Sequence, residues 1–301
     1  MNAAHTYSGV YTALATPLCN GRVDFDRLQK HIHVLIQDGI DGFLINGTTG
    51  EGQSFDFGER AELVAAAREA APHQVLMTGT GCASLTDTIR CTQRAFELGS
   101  DCVLIVPPFF FRSVTTNGLL EYFQRVYAEA VPQGRKAFLY HIPQVSGVPV
   151  TFDLLDRLQD EVGDRLAGVK DSSGDVNNLV SLCRRYPTMD IFTGVDDTLL
   201  DDLENGGAGC ITAESTILGV QAKQLEHTFF AGQDARPYKD LLTKALVFLP
   251  YASFSSAIKG LLAARYQDDT WMEVRPPLEP ITQAEQEQLV THLRELGVMP
   301  G

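Results

Sequence analysis

Leu166-Ala-Gly-Val-Lys170-Asp-Ser-Ser-Gly174 is a short apolar run that ends in a lysine. Runs of this length without polar alternation read as strands buried on both faces of a parallel sheet. A lysine is rarely buried without a partner. A strand that carries one to its C-terminal end suggests an amine held in a cleft, where it can attack a carbonyl. The competing reading is a side chain whose amine snorkels to solvent.

Seven similar runs flank this one: Val10–Leu14, Gly42–Asn46, Val75–Gly79, Cys102–Val106, Ala137–His141, Asp190–Gly194 and Ala208–Thr212. The stretches between them read as helices. Asp24–Gln37 carries Leu28, Ile32, Leu35 and Ile36 at helical spacing. Asp56–Glu69 opens with Asp56 and Glu59, and Ser84–Leu98 with Ser84 and Asp87, both resembling capping boxes. Thr116–Ala130, Thr151–Val162, Val176–Arg185 and Thr198–Asn205 continue the series. Alternation of strand and helix implies a parallel sheet. Eight units in about 230 residues fit an α/β (β/α)8 TIM barrel with additional C-terminal helices. An open doubly wound sheet would want a Gly-rich fingerprint after its first strand, and Thr16-Pro-Leu-Cys-Asn-Gly21 has none. Residues 1–232 are expected to form the catalytic barrel and residues 233–301 a helical extension packed on it. The extension's candidate helices are Tyr238–Val247, Ser255–Tyr266 and Gln283–Leu296.

The bulk properties narrow the function. The chain has 301 residues, 44% hydrophobic and 21% charged, which suits a large globular core. A net charge of −14 disfavours nucleic acid, because neutralising phosphates needs clustered Lys and Arg. No apolar run approaches the ~20 residues of a membrane helix, and the N-terminus lacks a signal-peptide pattern. A cytoplasmic protein is expected. Six cysteines without a Cys-x-x-Cys pair read as reduced thiols. There is no His-Glu-x-x-His and no spaced ligand cluster, so no metal is expected. A Gly-x-Ser-x-Gly elbow is also missing.

Barrel chemistry sits at the C-terminal ends of strands. Those ends supply Asn46-Gly-Thr-Thr-Gly-Glu-Gly52, Pro107-Pro-Phe-Phe-Phe-Arg112, Tyr140-His141-Ile-Pro143, Lys170-Asp171-Ser172-Ser173 and Gly194-Val-Asp196-Asp197. Tyr140 and Lys170 end neighbouring strands, so their side chains can converge. Such a pair suits imine chemistry, with the amine as nucleophile and the phenol as proton carrier. Gly47-Thr-Thr-Gly50 offers backbone N–H groups and two hydroxyls to a carboxylate or phosphate. A simple tight turn is the alternative there. Asp196 and Asp197 could bind substrate hydroxyls or cap the following helix.

Taken together, Gly9-Val-Tyr-Thr-Ala-Leu-Ala-Thr-Pro17, Gly47-Thr-Thr-Gly-Glu51, Tyr140-His-Ile-Pro143, Gly168-Val-Lys-Asp-Ser-Ser-Gly174 and Val274-Arg-Pro-Pro-Leu278 resemble the dihydrodipicolinate synthase / N-acetylneuraminate lyase family of class I aldolases. The resemblance spans nearly the whole chain. It implies a barrel assembled as a homotetramer, a dimer of dimers. It implies a covalent imine between Lys170 and pyruvate, with no other cofactor. Thr48 and Thr49 would hold the pyruvate carboxylate, and Tyr140 would shuttle protons.

Two departures bear on the substrate. Dihydrodipicolinate synthases carry a Tyr-Tyr pair where this chain has Phe109-Phe110, and one of those tyrosines completes a proton relay in the neighbouring subunit. They also carry an arginine that grips the second substrate's carboxylate, where this chain has Val145 in Gln144-Val145-Ser146-Gly147. Losing charged hydrogen bonds of about 1.5–3 kcal/mol each is serious for that substrate. The segment Tyr140–Val148 looks closer to sugar-acid lyases, which carry an acidic pair at the stretch of Asp196 and Asp197. Sialic acid lyases prefer serine at the position of Thr48.

These residues together indicate a pyruvate-dependent aldolase acting on a 4-hydroxy-2-oxo acid, a 2-oxo-3-deoxy sugar acid in particular, to give pyruvate and an aldehyde. Lys170, Tyr140 and Thr48 are the catalytic candidates. Thr49, Gly47, Ile211, His141, Arg112, Asp197 and Ser215 are the candidates for binding substrate. A true dihydrodipicolinate synthase, a 2-oxo-3-deoxy acid dehydratase and a non-catalytic pyruvate-binding relative are the alternatives.

Overall fold

The computed structural model describes residues 5–246 and 254–299. Eight parallel strands close into a barrel: β1 (Gly9–Ala13), β4 (Gly42–Ile45), β5 (Val75–Gly79), β6 (Cys102–Ile105), β7 (Lys136–His141), β8 (Leu166–Asp171), β9 (Asp190–Thr193) and β10 (Gly209–Thr212). Each pairs with its neighbours in sequence, and β1 closes the ring by pairing with both β4 and β10. All eight expected strands are present.

Two further strands, β2 (Leu18–Cys19) and β3 (Arg22–Val23), were not expected from the sequence and form a small antiparallel hairpin. Its turn is Asn20-Gly21, with φ of 52° and 77°. Two consecutive left-handed residues are what a two-residue hairpin loop requires. Asn-Gly is a turn signal, but strands this short do not register as apolar runs.

Helices α1 (Phe25–Gln37), α2 (Phe57–Ala70), α3 (Leu85–Glu97), α4 (Thr116–Ala130), α6 (Phe152–Val162), α7 (Val176–Arg185) and α8 (Leu199–Glu204) match the seven expected, and α5 (Pro143–Ser146) is a single extra turn. Asp56 accepts from the Glu59 amide at 2.9 Å while Glu59 accepts from the Asp56 amide at 3.0 Å, so α2 does start in a capping box. Ser84 caps α3 through the Asp87 amide. The eighth barrel helix, α9 (Ser215–Phe230), was implied by the eight units but given no bounds from the sequence. It packs on β1 and β10 on one side and on α10 (Arg236–Leu246) and α11 (Phe254–Tyr266) on the other. A helix covered from both sides needs no polar face, so its amphipathic signature is weak.

The expected tail helices correspond to α10, α11 and α12 (Gln283–Glu295). Val247 lies outside the described residues. One continuous core joins Leu28 and Ile32 of α1 with Leu218 of α9, Leu261 of α11 and Leu289 of α12. Among the described residues, no helix is long and apolar enough to cross a membrane.

Strand alternation separates the barrel interior from the layer under the helices. Tyr11, Phe138 and Phe192 fill the interior, with ring centroids 5.2 Å apart for Tyr11–Phe192 and 5.9 Å for Phe138–Phe192. Leu139 and Val169 face outward into a core shared with α4 and α6. Below, Asp190 accepts from the amides of Thr6 and Tyr7, and the Tyr7 ring packs on Phe138. The N-terminal segment thereby plugs the bottom of the barrel and leaves the opposite mouth for a site.

Candidate active site

β7 and β8 run in register with Tyr140 beside Lys170, so both side chains enter the barrel from adjacent strands. Lys170 is 4% exposed and Tyr140 is 7% exposed. The lysine Nζ lies 3.5 Å from the phenol oxygen and 4.6 Å from the ring centroid. Among the described residues no carboxylate comes within ion-pair distance of this amine. Lys170 is therefore a buried amine facing a phenol, not a snorkelling side chain.

Tyr140 also belongs to the wall of a cavity of about 420 Å³ that contains Gly47, Thr48, Gly79, Phe109 and Val145. The Gly47–Gly50 loop enters it from the end of β4. Two non-glycine residues with left-handed backbone bracket this loop, Asn46 at φ 59° and Glu51 at φ 57°. Such conformations persist only where surroundings enforce them, and they cluster at functional sites. Glu51 forms a fully buried ion pair with Lys259 of α11, and its Oε2 accepts from the Arg275 amide at 2.8 Å. Lys259 also donates to the Glu273 carbonyl at 2.6 Å. Thr16 Oγ1 donates to the Gly50 carbonyl at 2.7 Å, and a β-carbon at Gly50 would sit 2.7 Å from the Leu14 carbonyl oxygen. Glycine is required there by contact. Among the described residues nothing accepts from the amides of Thr48 and Thr49. Two free N–H groups in a held loop suit an anion's oxygens.

The remaining candidates divide. Ile211 is buried in the interior with Tyr140. Arg112 is exposed and lies across Gly147, close to the Val145 rim of the cavity. His141 is turned the other way from Tyr140, as alternation requires: its Nδ1 accepts from the Val150 amide at 3.0 Å, and burial pushes its pKa down. Ser215 Oγ is engaged with the Thr12 hydroxyl at 3.0 Å and the Thr212 carbonyl at 2.8 Å, within the barrel wall. The structure does not bring either of these two side chains into the cavity beside Thr48 and Tyr140. Neither Asp196 nor Asp197 caps α8. Asp196 is fully buried and accepts from the Thr212 hydroxyl at 2.8 Å, while Asp197 remains partly exposed.

One group was not among the sequence candidates. Glu214 follows β10, is 8% exposed and keeps one oxygen without a partner among the described residues, as does Asp196. Burial pushes its carboxyl up to about 7, opposed by backbone N–H groups and by the Lys170 charge. Burial, and then Glu214 itself, raise Asp196 well above the carboxylate range. The rule that selects Lys170, a polar residue at or just past a strand end, also selects Glu214 when extended to β10. No group of three or more His, Cys, Asp or Glu among the described residues is arranged to hold a metal ion.

A closed barrel with this lysine and tyrosine at its mouth fits the class I, pyruvate-dependent carbon–carbon lyases, and comparison with known proteins agrees. The chain belongs to the dihydrodipicolinate synthetase family, whose model matches residues 6–296. It is 34% identical over 285 residues to an uncharacterized DapA-like lyase of Chloroflexus aurantiacus, covering 92% of this chain and 93% of that one. Its fold is similar to YagE, a prophage protein of the dihydrodipicolinic acid synthase family from E. coli K12 solved in complex with pyruvate: TM-score 0.91, 25% identity, 97% of this chain and 99% of that one. It is also similar to the 4-hydroxy-tetrahydrodipicolinate synthase of Methylacidiphilum fumariolicum SolV, with a TM-score of 0.89, 28% identity and 96% of each chain covered.

Proposed function

We propose that the protein is a Schiff-base aldolase that cleaves or forms a 4-hydroxy-2-oxo acid, a 2-oxo-3-deoxy sugar acid in particular, with pyruvate and an aldehyde as the other partners. The observation that carries this reading is the 3.5 Å approach of the Lys170 amine to the Tyr140 hydroxyl at the barrel mouth. The pyruvate complex of YagE supports the choice of 2-oxo acid.

In the cleavage direction the Lys170 amine, once it has given up its proton, adds to the C2 carbonyl, and water leaves to form the imine. The amides of Thr48 and Thr49 hold the carboxylate. The protonated imine then accepts the electron pair of the C3–C4 bond while Tyr140 takes the proton of the 4-hydroxyl. The aldehyde departs and leaves an enamine. A proton returns to C3, and water releases pyruvate. A phenol becomes a base only beside positive charge, and the iminium on Lys170 supplies it.

Two side chains of the cavity bear on the acceptor end. Val145 is 55% exposed at the rim and offers no charge to a second carboxylate. Phe109 lines the cavity without a hydroxyl. Asp197, half-buried after β9, is not among the residues that line this cavity, and its charged neighbours are Lys239 and Asp201. Phe110 and Phe111 are 74% and 72% exposed, which accords with a neighbouring subunit covering them in a tetramer. These points favour a hydroxylated aldehyde over aspartate semialdehyde.

Borohydride reduction in the presence of pyruvate, followed by peptide mass spectrometry, tests the imine. A pyruvate adduct on Lys170 is expected; no adduct, or one on another lysine, overturns the mechanism. A panel of aldehydes offered with pyruvate tests the acceptor. Condensation with aspartate semialdehyde at a rate matching the best sugar aldehyde would restore the synthase reading.

A further inference from the structure

The loop after β5 holds one thiol against an arginine, and the helix that follows carries a second thiol nearby. Arg60 of α2 is 6% exposed; its Nη1 donates to Cys82 Sγ at 3.0 Å and its Nη2 to the Gly79 carbonyl at 2.9 Å. The Cys82 amide donates to Thr88 Oγ1 at 2.9 Å, which pins the loop to α3. Cys91 lies three residues beyond Thr88, on the same face of that helix. Arg60, which holds Cys82, also shares a cavity wall with Cys91, so the two thiols are neighbours. Both are reduced here, Cys82 half-buried and Cys91 buried.

The pair is chemically unequal. The hydrogen bond from Cys91, then the charge of Arg60, hold the Cys82 thiol below its ordinary range, against burial and Asp87. The same bond and burial push Cys91 up. A thiolate beside a guanidinium and open to solvent is the reactive kind, whereas thiols buried in apolar surroundings are inert. Cys102, Cys183 and Cys210 are of the second kind, with burial raising each. Cys19 is exposed but has no cation against it among the described residues.

We propose that Cys82 and Cys91 form a peroxide-responsive dithiol, with Cys82 the sulfur attacked first and Cys91 the resolving thiol. The Cys82 thiolate attacks the distal oxygen of a hydroperoxide and the O–O bond breaks. The alkoxide or hydroxide leaves with a proton, and the sulfur, oxidised by two electrons, becomes a sulfenic acid. The Cys91 thiol then attacks that sulfur, a disulfide forms and water departs. A dithiol reductant reverses the change by exchange.

The pair is wired to the site. Gly79 and Gly81 share the cavity wall with Thr48 and Tyr140. Arg60 is bound at its carbonyl by Asn46 Nδ2 at 3.0 Å, and Asn46 opens the carboxylate loop. Drawing Cys82 Sγ into a disulfide removes the sulfur that Arg60 holds. The consequence for turnover rests on the aldolase reading; the disulfide does not.

The test exposes the full-length protein to hydrogen peroxide, alkylates the remaining thiols and maps peptides by mass spectrometry. A crosslinked Cys82–Cys91 peptide lacking two hydrogens is expected, lost on treatment with dithiothreitol. In Cys91→Ser, Cys82 should accumulate as a sulfenic acid that dimedone captures. Arg60→Met should slow the oxidation severalfold, with Arg60→Lys partly restoring it. Oxidation confined to Cys19, a disulfide between chains, or a Cys82 that stays alkylatable would overturn the proposal. The wild-type map needs no variant, so a poorly folding substitution cannot hide the answer. Oxidised and reduced enzyme assayed with pyruvate should differ severalfold in KM for pyruvate. Unchanged KM with the disulfide present refutes the link to the site, and a pyruvate-inert but peroxide-responsive protein refutes the aldolase reading instead.

Discussion

Lys170 and Lys259 are both buried, yet only one of them has a carboxylate against it. Lys259 is fully enclosed between α11 and the Gly47–Gly50 loop, paired with Glu51 and bound to the Glu273 carbonyl. Burial pushes its amine below the ordinary lysine range, and Glu51 pulls it back. Lys170 sits at the barrel mouth with a phenol for company. A buried ammonium is costly unless paired and hydrogen-bonded. Where the fold provides the pair, the lysine fastens two segments together. Where no carboxylate pairs it, the lysine ends at the barrel mouth beside the Tyr140 hydroxyl.

That contrast can be broken from either side. Lys170→Ala is expected to reduce pyruvate-dependent turnover to background while leaving thermal stability unchanged or raised, read by a coupled assay and a thermal melt. Loss of stability with retained turnover would exchange the roles of the two lysines. Tyr140→Phe should slow turnover by roughly 10²–10⁴-fold while borohydride still traps pyruvate on Lys170; this separates proton transfer from imine formation. Lys259→Met is expected to destabilise the fold by about 3–5 kcal/mol in urea titrations, because Glu51 is left charged and buried. Adding Glu51→Gln should recover part of that loss.

A smaller effect sharpens the view of the seam that holds Lys259. His31 is buried there, with Nδ1 2.7 Å from the Tyr266 hydroxyl and Nε2 2.9 Å from Thr216 Oγ1. Burial, then Arg265, push its pKa down to about 3. Unfolded histidine takes its proton near pH 6.5. Between those values the unfolded state binds the extra proton, so stability falls as pH drops through that window, by about 1.4 kcal/mol per unit. His31→Gln should flatten this part of the acid limb in denaturant titrations run across it. An unchanged slope would mean that His31 does not titrate differently in the two states.

Much of the barrel could be read from the chain, because parallel strands covered on both faces appear as short apolar runs and the helices between them carry their own caps. Lys170 and Tyr140 were legible for the same reason: both end such runs, and consecutive strands are neighbours. His141 was misplaced among the substrate contacts, although it comes one position after an inward residue and so faces the other way. Lys259 was not legible. Ala257-Ile-Lys-Gly-Leu261 reads as an ordinary helical stretch, and nothing local announces a partner as distant as Glu51. Glu214 was hidden because it stands two residues past Thr212, beyond the apolar run that marks β10. The helix α9 hid because burial on both sides erases the periodicity that marks a surface helix.

The tie between Glu51 and Lys259 also orders events during synthesis. The barrel strands and Lys170 leave the ribosome before α11 does, so Lys170 is made well ahead of the residue that pairs with Glu51. A nascent chain stopped short of Lys259 would carry Lys170 while Glu51 still lacked its buried partner. Helix α11 thus brings the last partner that the segment after β4 requires, and that segment stays unfastened until it arrives.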